Sequence, residues 1–340
     1  MLKIALVTAR AARHRDGDAP LLEAALRGKG VDAHTVAWDD SEVDWSTFDC
    51  AVVRSTWDYT TRPSEFAAWI DRVSVATNLL NPPSLLHWNI DKHYLADLAA
   101  HGVPTIPTTF VEPGQEAARA VGQFLHQCAA AEFVVKPSVS AGAKDAQRYG
   151  RLDADRAAAI EHTQRLLHAN RSVLLQPYFD RVGLDGETAL IYFAGTFSHA
   201  IRKGALLRPR ETSTQDLFAA THIIPRAPGV DELDVGARVI AILPNTPLYA
   251  RVDLIRDTNA IPCVLELELT EPLLFLAHEP ESAIRFAETI CRWCEPGYPC
   301  GIAGQAILEP SFAFLQAIRY VDHGTVAQIA KLKHHIANQR

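Results

Sequence analysis

Glu266 and Glu268 stand at alternate positions in the otherwise apolar run Val264-Leu-Glu-Leu-Glu-Leu269. An unpaired carboxylate is costly inside such a strand, and the two-residue period puts both on one face. Upstream, Tyr249-Ala-Arg-Val-Asp-Leu-Ile255 is a second strand carrying Arg251 and Asp253, and Arg256-Asp-Thr-Asn-Ala260 between the two is rich in turn formers. A turn centred on Asn259-Ala260 sets Asp253 opposite Glu266 and Arg251 opposite Glu268. Hard oxygen ligands gathered this way suit Mg²⁺ that keeps positions for water and phosphate oxygens. Arg251 then serves catalysis, stabilising charge that grows on a transferring phosphoryl group or an acyl phosphate. Read without its context, the same ribbon is a wet sheet face with weak surface ion pairs.

Cations precede this ribbon. Lys136 ends the strand of residues 132–137, because Pro137 hinders further central pairing. The loop Ser138-Val-Ser140-Ala-Gly142-Ala follows, and its small residues let backbone donors approach phosphate. Its glycine pattern is neither a P-loop nor a Rossmann turn, and alone it reads better as an ordinary surface turn. In Val53-Arg54-Ser55-Thr56-Trp57-Asp58-Tyr59, Arg54 can fork onto a carboxylate, Ser55, Thr56 and Asp58 offer short polar contacts, and Trp57 or Tyr59 a wall. This is the expected substrate side; strand-end packing with an Asp–Arg pair is the alternative. In His199-Ala-Ile-Arg202-Lys203, Arg202 is the expected substrate or phosphate contact. His199 is either substrate-facing or a satisfied structural histidine.

The elements that must position these groups read as an open α/β unit followed by α+β units. Strands at 2–8, 31–38 and 50–53 alternate with helices from Pro20 to Gly28 or Gly30 and from Pro63 to Val75. Asn81-Pro-Pro is the first boundary, after which Ser84 caps a helix bearing Leu86, Ile90, Leu95 and Leu98. The expected divisions are 1–86, 87–175, 176–292, and a helical appendage over 293–340. At 340 residues the chain exceeds one ordinary core. A net charge of -7 without a basic run argues against nucleic acid, and no apolar stretch approaches a membrane span. A cytoplasmic enzyme with no membrane partner is expected, with a homo-oligomer left open. The six cysteines, Cys291-x-x-Cys294 and Cys300 included, read as ordinary thiols rather than disulfides or a zinc site.

Taken in order, Lys92, Lys136 with its loop, Gln176-Pro177-Tyr178, Glu187, Arg251-x-Asp253 and Glu266-x-Glu268 resemble the ATP-grasp superfamily across roughly 1–292. The resemblance implies an N-terminal α/β domain before two α+β subdomains that clamp ATP. Lys92 and Lys136 then contact phosphate, Gln176-Pro177-Tyr178 meets adenine, and Glu187 or a nearby acid holds ribose. Asp253, Glu266 and Glu268 ligate Mg²⁺, with two ions accommodated and Mn²⁺ an alternative. Many relatives carry Asn at the position of Glu268, so the extra charge alters metal spacing or compensates a nearby cation. Arg54 to Tyr59, Trp88-Asn-Ile-Asp-Lys92 and Leu265-Glu-Leu-Glu-Leu-Thr-Glu-Pro272 are similar to the branch that closes O-ureido-D-serine to D-cycloserine. That likeness implies ATP-dependent activation of a small amino-acid carboxylate and ring closure. An intermolecular carboxylate–amine ligase and a non-catalytic nucleotide-binding regulator stay as alternatives.

Overall fold

The computed structural model describes residues 1–205, 207 and 222–295. Cys300 and the expected appendage beyond residue 295 lie outside them. Strands β1 (Lys3–Thr8), β2 (Asp32–Ala37), β3 (Cys50–Ser55) and β4 (Asn78–Leu80) form a parallel sheet in the order β2-β1-β3-β4. Parallel strands covered on both faces are apolar throughout. Ile4, Leu6 and Val52 accordingly pack with Leu22 and Leu26 of the Ala19–Gly28 helix, while Ala5, Val7 and Val53 pack with Phe66, Trp69 and Val73 of the Pro63–Ser74 helix. The first helix ends where Gly30 takes φ +74°, a conformation that costs a side-chain-bearing residue more.

A second sheet, in the order β5-β8-β6-β7, is antiparallel: β5 (Thr109–Val111), β6 (Phe133–Pro137), β7 (Gln147–Tyr149) and β8 (Val173–Pro177). Phe133, Val135, Val173 and Leu175 share a core with Val121, Phe124 and Leu166 of the Ala117–Gln127 and Asp153–His168 helices. The alternation of strand side chains turns Val134, Lys136 and Gln176 to the other face.

The third sheet runs β11-β10-β9-β12-β13, from β9 (Glu187–Phe193), β10 (Thr196–Lys203), β11 (Ile223–Pro225), β12 (Tyr249–Arg256) and β13 (Pro262–Glu268), all antiparallel. The expected ribbon register is present: Arg251 pairs with Glu268 and Asp253 with Glu266. It arises differently, however. Near the turn Arg256 pairs with Pro262, which centres the loop on Asn259, and a bulge at Leu265 shifts the register by one residue before the acidic positions.

Two expectations for residues 82–100 need correction. Ser84 is not a cap: the helix runs Pro83–Asn89 with Pro82 at its N-cap, since proline pre-sets the first helical φ. The apolar stripe is also split into two helices, Pro83–Asn89 and Tyr94–Ala100. The Lys92 N–H donates to Ser138 O at 3.0 Å, and the His93 N–H donates to Asp91 Oδ1 at 3.0 Å, drawing backbone donors out of a helical ladder. Lys92 sits at this break. Backbone of Pro104 and Ile106 satisfies the outer edge of β13 at Val264, and side chains satisfy it beyond. Asn89 donates to Leu267 O at 2.7 Å and accepts from the Leu269 N–H at 2.6 Å, and Tyr94 Oη accepts from the Leu267 N–H at 3.0 Å. Replacing Asn89 by Ala strands two buried backbone groups. A loss of about 3 kcal/mol in unfolding free energy is expected by urea denaturation; a change below about 1 kcal/mol would remove this staple from the account.

The cysteines also depart from expectation. Cys50 of β3 and Cys294, at the end of the Ser282–Trp293 helix, form a disulfide across 244 residues with a Cα–Cα distance of 6.2 Å. Cys128, Cys263 and Cys291 are thiols. No helix among the described residues is long and apolar enough to cross a membrane.

Candidate active site

A cavity of about 430 Å³ is walled by the β6 and β8 residues Val134, Lys136, Gln176 and Pro177 and by residues of β9, β10, β12 and β13. Its lining changes along the ribbon. Arg251, Glu266 and Glu268 mark a charged end, while Ile255 and Leu265, nearer the turn, join Ile106, Phe179 and Val182 in an apolar one. A nucleotide has the same division, an aromatic base joined to a polyphosphate.

Most of the expected nucleotide and metal residues meet here. Lys92, Lys136, Ser140, Gly142, Gln176, Pro177, Tyr178, Glu187, Arg251, Glu266 and Glu268 all line the cavity. Ser138 does not; its carbonyl receives the Lys92 N–H. Asp253 is 1% exposed and lies behind Arg251, although its carboxylate and those of Glu266 and Glu268 place oxygens within 4.8 Å of one another. That oxygen-only set has the ligand chemistry a divalent magnesium ion requires.

Ion pairs connect the walls. Lys92 Nζ is 2.8 Å from Glu266 Oε1 and donates to Ser140 O at 2.6 Å, which ties the Ser140 loop to the ribbon. Arg251 grips Asp253 through Nε at 2.9 Å and Nη2 at 2.8 Å, and also reaches Glu268. The unusual charge of Glu268 thus has a cation beside it. Lys203, to which sequence reasoning gave no role, pairs with Glu187 and lies 2.8 Å from Asp253 Oδ2.

Burial and neighbours set the proton affinities. Burial opposes ionisation of Asp253, but Arg251 and Lys203 hold its carboxyl well below the usual range. Burial pushes Glu268 up to about 8 against the pull of Arg251, with Glu266 and Asp253 adding like charge. At Lys136 burial lowers the ammonium to about 8, Glu266 opposing and Lys92 reinforcing the shift. Negative charge brought beside it would restore it.

Beside Lys92, His93 Nδ1 is 2.5 Å from Asp91 and Nε2 is 2.9 Å from Glu112 of the segment after β5. Burial pulls the imidazole down, but the two carboxylates outweigh it and raise it to about 9. A group whose folded value lies above its unfolded one stabilises fully below the unfolded value of about 6.5 and loses that contribution as pH rises through 9. Melting temperature is therefore expected to fall between pH 7 and 10 more steeply in the native chain than in His93→Gln. Parallel profiles would contradict this.

The expected substrate segment has a different task in part. Arg54 Nη2 donates to Pro272 O at 3.1 Å and faces Asp18 at 3.5 Å; it does not line the cavity. Ser55 donates to Thr8 at 2.8 Å, Thr56 is fully buried, and Asp58 accepts from Trp38 Nε1 at 2.9 Å and Arg62 at 2.5 Å. Trp57 does reach the cavity and donates to Glu271 O at 2.9 Å, and Tyr59 Oη donates to Glu271 Oε1 at 2.9 Å. Arg202 points away from Lys203, as strand alternation requires, and donates to Leu184 O and Asp185 O, each at 2.8 Å. His199 is held by Leu274 O at 2.8 Å and is absent from the cavity wall. Sequence reasoning thus took Arg202 where Lys203 faces the site, and passed over Glu271, which lines it.

Similarity to known proteins agrees with this geometry. The model of the D-cycloserine synthetase DcsG N-terminal domain matches residues 4–81. Over 298 residues the chain is 43% identical to the cycloserine biosynthesis protein DcsG of Streptomyces lavendulae, covering 86% of this chain and 99% of that protein. The crystal structure of D-cycloserine synthetase DcsG matches with a TM-score of 0.81 at 41% identity, over 86% of this chain and 100% of that one. The D-alanine–D-alanine ligase of Bacillus anthracis shares the fold, with a TM-score of 0.63 at 14% identity over 86% of this chain and 97% of that one. Sequence and fold together make the chain a member of the DcsG family, with an ATP-grasp fold.

Proposed function

We propose that this ATP-dependent ligase activates the carboxylate of O-ureido-D-serine and closes the molecule to D-cycloserine. The observation that carries the reading is one cavity in which Lys92, Lys136 and Arg251 face the Glu266–Glu268 wall, in a chain 43% identical to DcsG. Asp253, Glu266 and Glu268 would hold magnesium, which when bound offsets the charge of the triphosphate. Among the described residues four cavity cations stand against four lining carboxylates and Asp253 behind them, so an added triphosphate calls for more positive charge than these residues supply. Two divalent ions would meet that need, Mn²⁺ able to replace Mg²⁺.

The chemistry then follows in balanced steps. A substrate carboxylate oxygen attacks the γ-phosphorus, the bond to the β-phosphate oxygen breaks, and ADP leaves. Arg251, fixed by Asp253, Glu268 and the Leu273 carbonyl, is preorganised toward the charge on the transferred group. The ureido nitrogen bonded to oxygen attacks the acyl carbon, loses its proton, and expels phosphate. Both reacting ends belong to one molecule, so closure avoids the entropy cost of a second encounter. Water then cleaves the carbamoyl group from the ring nitrogen, releasing carbamate that decomposes to carbon dioxide and ammonia. The ATP requirement supports a cytoplasmic reaction.

Incubation with ATP, Mg²⁺ and O-ureido-D-serine should yield ADP and D-cycloserine in step. ADP accompanied by a linear amide from an added amine, with no ring product, would select an intermolecular ligase. ATP binding without substrate-stimulated ADP release would select a regulator.

A further inference from the structure

Among the described residues four carboxylates line the cavity, and three have cation partners: Glu187 with Lys203, Glu266 with Lys92 and Glu268 with Arg251. Glu271 is the exception. It is 6% exposed, accepts a hydrogen bond from Tyr59 Oη at 2.9 Å, and forms no ion pair with a described basic side chain. Burial raises its carboxyl to about 7. A buried carboxylate without a cation is destabilising, yet an elaborate support presents this one to the cavity. Trp57 donates to its carbonyl at 2.9 Å and Arg54 to the next one, Pro272 O, at 3.1 Å. Asp18 accepts from the N–H groups of Leu274, Phe275 and Leu276 at 2.6, 3.1 and 2.8 Å. The segment 271–276 is thereby fixed from the N-terminal sheet, and with it the position of the carboxylate.

We propose that Glu271 is the specificity residue that receives the α-ammonium group of the amino-acid substrate, with Tyr59 as its positioning residue. The inference rests on the ligase reading above. An α-amino acid carries its ammonium one carbon from the carboxylate that is to be phosphorylated. Glu271 follows Glu268 by three residues, where the chain leaves the ladder, so an ammonium at Glu271 directs the neighbouring carboxylate toward Arg251 and the acidic ribbon. The arriving ammonium supplies the charge complement the other cavity carboxylates already have. A substrate lacking it leaves Glu271 buried and unpaired, which makes the site discriminate.

The test compares O-ureido-D-serine with its deamino analogue, 3-(ureidooxy)propanoate, by ADP release. The native chain should prefer the amino compound by about 10³-fold in kcat/KM. In Glu271→Gln, an isosteric change that retains an acceptor for Tyr59, kcat/KM for the amino compound should fall about 100-fold, chiefly through KM. The analogue's value and the KM for ATP should stay within about threefold, so the preference collapses. Tyr59→Phe should move the preference in the same direction by a smaller factor. Equal losses on both substrates, or an intact preference in Glu271→Gln, would overturn the assignment. A native chain that binds ATP but releases ADP with neither compound overturns the ligase reading itself, and this inference with it.

Discussion

Glu266→Gln is expected to lower kcat by roughly 10³-fold while the chain stays folded, because a loss of about 4 kcal/mol in transition-state charge stabilisation corresponds to that factor. Glu266 is central to the wall: it pairs with Lys92, and although burial opposes its ionisation, Lys92 and Lys136 hold its carboxyl below the ordinary range. Neutralising it removes one of the oxygens that Asp253 and Glu268 share within 4.8 Å. The remaining carboxylates bind a divalent ion more weakly, so the Mg²⁺ concentration giving half-maximal ADP release should rise as kcat falls. The amide keeps the volume and an acceptor for Lys92, which separates the loss of charge from a packing defect. Near-native turnover with an unchanged magnesium dependence would remove Glu266 from the metal site.

The acidic ribbon was readable because its signals are local. Glu266 and Glu268 violate the apolar pattern of their own strand, the strand period fixes their common face, and Asp257 to Ala260 announce the turn. Even the compensating bulge at Leu265 did not hide the pairing of Asp253 with Glu266. Lys136 was equally legible, marked by the proline after it. What escaped depends on distance or on the choice between neighbours. Arg202 and Lys203 are adjacent basic residues on one strand, and only the sheet shows that Lys203 shares a face with Glu187 and Asp253. The Arg54 to Tyr59 segment has the polar groups of a binding loop, but much of its hydrogen bonding goes to Glu271 and Pro272, more than 200 positions away. Cys50 and Cys294 meet across a comparable separation that no periodicity encodes. The helix expected across Lys92 failed because its donors serve Ser138 and Asp91, partners that only the tertiary structure supplies.

Lys203→Met is expected to cost about 3 kcal/mol of stability at pH 10, the scale of leaving one buried charge without its partner. Asp253 keeps two N–H donors from Arg251, so the orphan is Glu187. Burial already raises the Glu187 carboxyl to about 8 despite the lysine. A carboxyl whose folded value exceeds its unfolded value of about 4.5 opposes folding increasingly as pH rises through that interval, and not below it. Without Lys203 the upper limit moves higher still, so the two chains part above pH 8, where Glu187 ionises in the native fold but is held neutral in the variant's; urea denaturation should show the variant's deficit shrinking on acidification from pH 10 to 7. Adding Glu187→Gln should recover most of the lost stability at pH 10, because the double variant has no buried carboxyl to ionise or to hold protonated. Turnover should stay low in that double variant, since the cavity wall lacks the Lys203 cation whatever the state of Glu187. Recovery of both stability and turnover would assign Lys203 to the fold alone; recovery of neither would mean that its partnership with Asp253 outweighs the one with Glu187.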